Sequence, residues 1–93
     1  MTVGVLTIQL NLNGVASLKE KRSIVKSLVG RLKSRFNVSV SEVDRQDNKQ
    51  LAVIGIAIVS NDGTFVNQQL DTIIDFIRRD GRFYLGPSER EIF

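Results

Sequence analysis

The sequence predicts an α+β domain of the ferredoxin-like kind, a β-α-β-β-α-β sandwich with a four-stranded antiparallel sheet and two helices on one face. Three observations carry that expectation. Four stretches read as strands and two follow helical spacing, and their order divides the chain into two similar halves. The third strand is the most apolar and the only proline lies in the fourth, which suits a fold whose first and third strands are central and whose others are edges. With 93 residues, 42% apolar and 25% charged, the chain is a single domain, 1–93, with core enough for two layers.

Met1 to Leu12 alternates with period two, placing Leu6, Ile8, Leu10 and Leu12 on one side and Val3, Val5, Thr7, Gln9 and Asn11 on the other. Asn13-Gly14 ends that strand. Ser17, with Glu20 three residues on, forms a capping box for a helix from about Leu18 to Arg35. At 100° per residue Leu18, Val25, Val29, Leu32 and Phe36 gather on one face, flanked by Ile24 and Leu28. Asn37 to about Asp44 is the second strand; Val38 and Val40 point one way and Val43 breaks the alternation, predicting a bulge near Ser41 or Glu42. Arg45 to Gln50 is a hairpin loop, and Leu51 to Val59, β-branched and apolar on both faces, is a central strand. Ser60-Asn61-Asp62-Gly63 caps a second helix, about 63–79, whose apolar set is Val66, Leu70, Ile73, Ile74 and Ile77. Arg78 and Arg79 favour its C-terminal end, where Gly81 is expected to turn the chain left-handed. Arg82 to Phe93 is the last strand, confined to an edge by Gly86-Pro87.

Composition removes several chemistries. The chain has no cysteine, so disulfides, thiolate metal sites and cysteine nucleophiles are excluded; it has no histidine, the commonest general base at neutral pH. No catalytic constellation, metal site or cofactor is expected, and the function class predicted is a non-enzymatic binding module. Met1 to Leu12 lacks a basic segment ahead of its apolar run, and the longest strongly apolar run, Leu51 to Val59, is far short of the roughly 20 residues of a spanning helix. The expected location is the cytoplasm, with no membrane partner.

Charge is the most informative feature. Seven of the 13 basic residues lie between positions 19 and 35, with Glu20 the sole acid there, so that segment carries +6 against −3 for the rest. Lys19, Arg22, Lys26 and Lys33 form a stripe within about 60° of the helical wheel. Arg31 and Arg35 lie on the other flank, and Ser23, Ser27, Gly30 and Ser34 fill the space between. Cations edging a face of small residues allow close approach of a phosphate backbone, so Lys19, Arg22, Lys26, Arg31, Lys33 and Arg35 are the candidate nucleic-acid contacts. The same residues also suit an acidic protein partner, or a plain solvated face. Neither central strand holds an aromatic residue for base stacking, and no GxxG spacing exists, so RRM and KH modes of RNA binding do not apply. Acylphosphatases share this fold and cradle phosphate between first strand and first helix; the corresponding Asn13-Gly14-Val15-Ala16-Ser17 has one glycine and no arginine.

With the helices on the face of Leu6, Ile8, Leu10, Ile54, Ile56 and Ile58, the opposite face presents Val3, Val5, Thr7, Leu51, Val53, Ala57 and Val59. So large an aliphatic patch predicts a homodimer whose interface contains Val3, Val5, Leu51, Val53, Ala57 and Val59. The alternatives are a small apolar ligand, or cover by the C-terminal segment through Phe83, Leu85 and Phe93. Glu42 and Asp44, alternating onto one strand face, and Asp47 could hold a hard cation, but read better as charges that guard an edge strand. Asn61 and Asp62 are cap residues, and Tyr84 is half-buried packing beside Phe83.

Three blocks carry a resemblance: Ser17-Leu18-Lys19-Glu20-Lys21-Arg22, then Asn37-Val38-Ser39-Val40-Ser41-Glu42-Val43-Asp44, then Ala52-Val53-Ile54-Gly55-Ile56-Ala57 with Val59-Ser60-Asn61-Asp62. In that order they resemble the YlxP-like family of small bacterial proteins, from Val3 to Ile77. The resemblance implies a ferredoxin-like fold and no established activity. Genes of that family often lie among genes for translation and ribosome assembly, which implies RNA or a ribosomal particle as partner.

Overall fold

The structure, a computed structural model, describes residues 1–93. Its elements are β1 (Thr2–Leu12), α1 (Leu18–Arg35), β2 (Ser39–Asp44), β3 (Leu51–Ser60), α2 (Gly63–Arg78) and β4 (Phe83–Ile92). The strands form one antiparallel sheet in the order β2-β3-β1-β4, so the two most apolar strands are central. This is the expected ferredoxin-like topology.

Period-two alternation sets the two faces. Leu6, Ile8, Leu10, Ile54, Ile56 and Ile58 are buried under the helices. Val25, Leu28 and Leu32 of α1 and Val66, Leu70, Ile73 and Ile77 of α2 close on them. The buried stripe of α1 centres nearer Leu28 than the helical wheel suggested: Leu18, Ile24, Val29 and Phe36 are only half-buried. Opposing β-branched and leucine side chains on β1 and β3 (Leu6 with Ile56, Ile8 with Ile54) make the pairing register unique, because a one-residue slip would turn every one of them to the other face.

The helix starts follow the sequence. Ser17 Oγ accepts from Glu20 N at 3.1 Å, and Glu20 returns a carboxylate oxygen to Ala16 N at 3.2 Å. Asp62 caps α2, accepting from Thr64 N at 2.9 Å. The end of α2 corrects an expectation. Gly81 is not left-handed; the helix closes with Arg79 in the right-handed region and Asp80 N–H on Ile77 O. Asp80 makes that turn instead, by accepting from Arg82 N at 3.0 Å.

Two irregularities shape the edges. Between Ile8 and Leu10 the register of β1 with β4 shifts, because Gly86-Pro87 puts two residues opposite Gln9. Between Glu42 and Asp44 the register of β2 with β3 shifts as well, close to the bulge expected from Val43. That second bulge separates the two acids assumed to share a face: Glu42 stands opposite Ile54, and Asp44 opposite Val53, its neighbour on the other side of β3.

Three aromatic and aliphatic residues of the C-terminal segment are also corrected. Phe83 is buried opposite Leu12 and Leu85 packs against the same core, so neither covers the open face. Tyr84 is 60% exposed rather than half-buried, because alternation turns it away from Phe83. Neither helix is long and apolar enough to cross a membrane.

α2 sits tightly on β1 at Gly4, where a β-carbon would fall 2.3 Å from Val66 Cγ1 and 3.2 Å from Leu70 Cδ1. Gly4→Ala therefore overpacks the helix–sheet seam. It should cost about 1–3 kcal/mol, read as a lower urea midpoint with unchanged m-value; an unchanged midpoint would mean that α2 shifts freely on the sheet.

Candidate nucleic-acid interface

The charges of α1 do not all reach water. Lys21 lies one turn before Val25 and in line with Leu28 and Leu32, so helical phase carries it into the core, where it is fully buried. Its ammonium donates to Arg45 O at 2.5 Å and to Gln46 O at 3.5 Å, and lies 3.0 Å from Glu42 Oε2. That carboxylate oxygen is itself buried and makes no directed hydrogen bond, so the two meet as charges. Glu42 is thus the counter-ion of a buried lysine, not an edge guard as its position suggested. The same ammonium fastens the β2–β3 hairpin at Arg45, whose φ of 62° is left-handed and whose N–H is taken by Asp44 Oδ1 at 2.8 Å. Glu42, Asp44 and Asp47 do not converge into a group that could hold a metal ion.

The candidate contacts divide into two sets. Lys19, Arg22, Lys26 and Lys33 are exposed and make no ion pair or hydrogen bond with any acid of the chain. Glu20, the acid beside them, is occupied at the helix cap. Between the two sets, Ser23, Ser27, Gly30 and Ser34 are exposed, with no atom within 4 Å of where a Gly30 β-carbon would stand. The stripe is therefore a row of uncompensated cations beside a low ridge.

Arg31 and Arg35 turn instead toward α2. Arg31 pairs with Asp80, and its guanidinium carbon lies 5.8 Å from the centre of the Phe76 ring. Arg35 lies 5.5 Å from the same centre and has no acidic partner. Phe76 meets Phe36 edge-on at 5.7 Å, which fixes the ring between the helices. Asp80 gathers a second arginine: Arg82 Nε donates to Oδ1 at 3.1 Å and its terminal nitrogen to Oδ2 at 2.9 Å. These Arg82 hydrogen bonds first, and Arg31 next, hold the Asp80 carboxyl far below its usual range although burial opposes them. Phe76 and Asp80 were not among the candidates from sequence. Phe76 sits off the apolar stripe of α2, and Asp80 meets Arg31 across 49 positions, a pairing no local pattern announces.

On the open sheet face, Val3, Val5, Leu51, Val53 and Ala57 are half-buried by their own neighbours and Val59 is 57% exposed. The bulge adds Val43, which leans over Gly55; a β-carbon there would lie 2.9 Å from Val43 Cγ1. All six expected interface residues thus share that one face.

Comparison with known proteins places this arrangement. A family model described as "Protein of unknown function (DUF503)" matches residues 3–90. The uncharacterized protein YlxP of Bacillus subtilis (strain 168) is 41% identical over 61 residues, which is 66% of each chain; the match thus spans just under two thirds of that relative's length. Among solved structures, the de novo designed protein Foldit4 aligns over 100% of this chain and 97% of its own with a TM-score of 0.55. At 18% identity that likeness is one of fold alone.

Two outcomes test the local electrostatics. Lys21→Ala leaves Glu42 buried without its counter-charge and should cost about 3–5 kcal/mol in urea unfolding, while the double variant Lys21→Met, Glu42→Leu should recover most of that; equal losses would show that the ion pair is not what the site requires. Because the Asp80 carboxyl is depressed in the folded state, its stabilisation is complete above the unfolded value of about 3.9 and is lost as pH falls below it. Wild type should therefore exceed Asp80→Asn in stability at pH 7, with the gap closing in thermal melts taken below about pH 4.

Proposed function

The chain belongs to the DUF503 family, whose function is unknown, and from that premise we propose that it is a non-enzymatic RNA-binding module that grips phosphate backbone with the exposed stripe of α1. The single observation behind this reading is that Lys19, Arg22, Lys26 and Lys33 are all in water, aligned, and without acidic partners. A folded protein gains little stability from four aligned like charges, which repel one another; a polyanion that releases its counter-ions on contact gains a great deal. The low ridge of Ser23, Ser27, Gly30 and Ser34 supports it, since nothing projects beyond the cations to hold a backbone away. Phosphate contacts of this type position a protein without reading sequence, so the expected preference is for shape: a structured RNA or the RNA of a ribosomal particle.

The test is a binding series against an RNA hairpin and isolated ribosomal particles at increasing salt. Four or five neutralised phosphates give a slope of log affinity on log salt of about −3 to −4.5. Lys19, Arg22, Lys26 and Lys33 changed together to Glu, in a variant verified as folded by circular dichroism, should abolish binding. Equal binding by wild type and variant overturns the proposal. So does salt-sensitive capture of an acidic protein with none of RNA.

A further inference from the structure

We infer that the concavity between α1 and α2, lined by Arg31, Ser34, Arg35 and Phe76, receives one unstacked nucleotide of a single-stranded or looped RNA. The inference rests on the RNA reading of α1 and adds to it a site of different chemistry on the opposite flank of the helix. The concavity is open to solvent and offers about 370 Å³ beside the ring, room for one base.

Its groups are already in place and unspent. The Phe76 ring packs edge-on against Phe36, which supports it from one side. Arg35 lies against that ring through a cation–π contact, yet none of its N–H donors is used by another residue of the chain. Ser34, between the two arginines, is exposed and its hydroxyl has no partner within the chain. Arg31 differs: Asp80 already takes one of its nitrogens and fixes its direction.

RNA bases stack on guanidinium planes as they do on aromatic rings, and the Arg35 guanidinium is exposed beside Phe76. The base takes the free side of the Arg35 guanidinium, which Phe76 holds at 5.5 Å from its ring centre. The adjoining phosphate then accepts from the Ser34 hydroxyl and the unused Arg35 donors. A paired base cannot enter, because its neighbours in the duplex already occupy both its faces. The expected ligand is therefore an unpaired nucleotide, and the expected partner an RNA with a loop or single strand beside the duplex that lies along the stripe. Arg31, locked to Asp80, holds the far wall at fixed charge. No acid lines the concavity, and the Asp80 that anchors Arg31 is shared with Arg82.

The probe is a single-stranded RNA carrying one 2-aminopurine, compared with a duplex of the same length. Wild type should quench the fluorescent base on binding. Arg35→Lys keeps the charge and the exposed helical position but removes the planar stacking surface. It should weaken single-strand binding by about tenfold and abolish the quenching, with duplex affinity unchanged. Phe76→Leu, which keeps an apolar side chain against Phe36 but removes the ring, should do the same. If wild type binds duplex but neither binds nor quenches the single strand, or if Arg35→Lys quenches like wild type, the nucleotide site is overturned while the α1 stripe stands. If wild type binds neither RNA, both proposals fall.

Discussion

A lysine ammonium sealed from water must be matched by charge and by acceptors, and Lys21 is where this fold meets that requirement. Transferring an unpaired ammonium into the interior costs several kcal/mol even after relaxation, so the surroundings are built around it. Glu42 supplies the charge, and the carbonyls of Arg45 and Gln46 supply the acceptors. For those carbonyls to reach the ammonium, the hairpin must turn back toward α1, with Arg45 in the left-handed region. Glu42 faces the helix opposite Ile54 in regular alternation, and only after it does β2 leave strict register with β3, where Val43 leans over Gly55 on the open face. One buried cation thus fixes the hairpin, the edge strand and the start of α1 relative to one another.

That constraint also changes the meaning of the charge on α1. Counted along the sequence, the helix carries +6; in space, Lys21 and Arg31 are matched by Glu42 and Asp80, and five cations remain toward solvent or toward the gap beside Phe76. The remaining charges are sorted by direction. Four face outward in a row, and Arg35 is directed across α1 to an aromatic ring. The first arrangement suits a continuous polyanion; the second suits a flat group that brings a single negative charge. Apart from Glu20, occupied at its helix cap, the acids without an ion pair lie elsewhere, on the hairpin, at the cap of α2 and along β4, so the molecule is polarised rather than merely basic.

Much of this was legible in the chain. Alternation over Leu6, Ile8 and Leu10 and over Ile54, Ile56 and Ile58 gave both the strand assignment and the covered face, because a strand with one buried side admits a single phase. Ser17 with Glu20, Asp62, and Gly86-Pro87 gave the helix starts and the edge, since each acts through its immediate neighbours. The misreadings share a different physics. Lys21 entered only the charge count of the segment, not the candidate contacts, and its burial was missed although its helical phase, shared with Leu28 and Leu32, points it inward. Gly81 was assigned a left-handed turn by type, whereas a carboxylate at Asp80 made the turn without it. Asp80 with Arg31, and Phe76 with Arg35, join residues far apart in sequence, and no periodicity encodes which side of α1 comes to rest beside α2. The stripe of the proposed interface was readable because it needs only one helix; the concavity was not, because it needs two.

The sheet order has a consequence for how the chain is made. β1 is synthesised first, yet its two partners are β3 and β4, and the last of these closes only when Phe93 pairs with Val3. While the chain is made as far as β3, a strand rich in valine, leucine and isoleucine waits with both its edges open. Until β3 emerges it can be sheltered only by contacts that must later be given up. The sheet is therefore completed only when β4 closes on β1, and the period of risk for misassociation begins with the time taken to make residues 13–50, which separate β1 from β3.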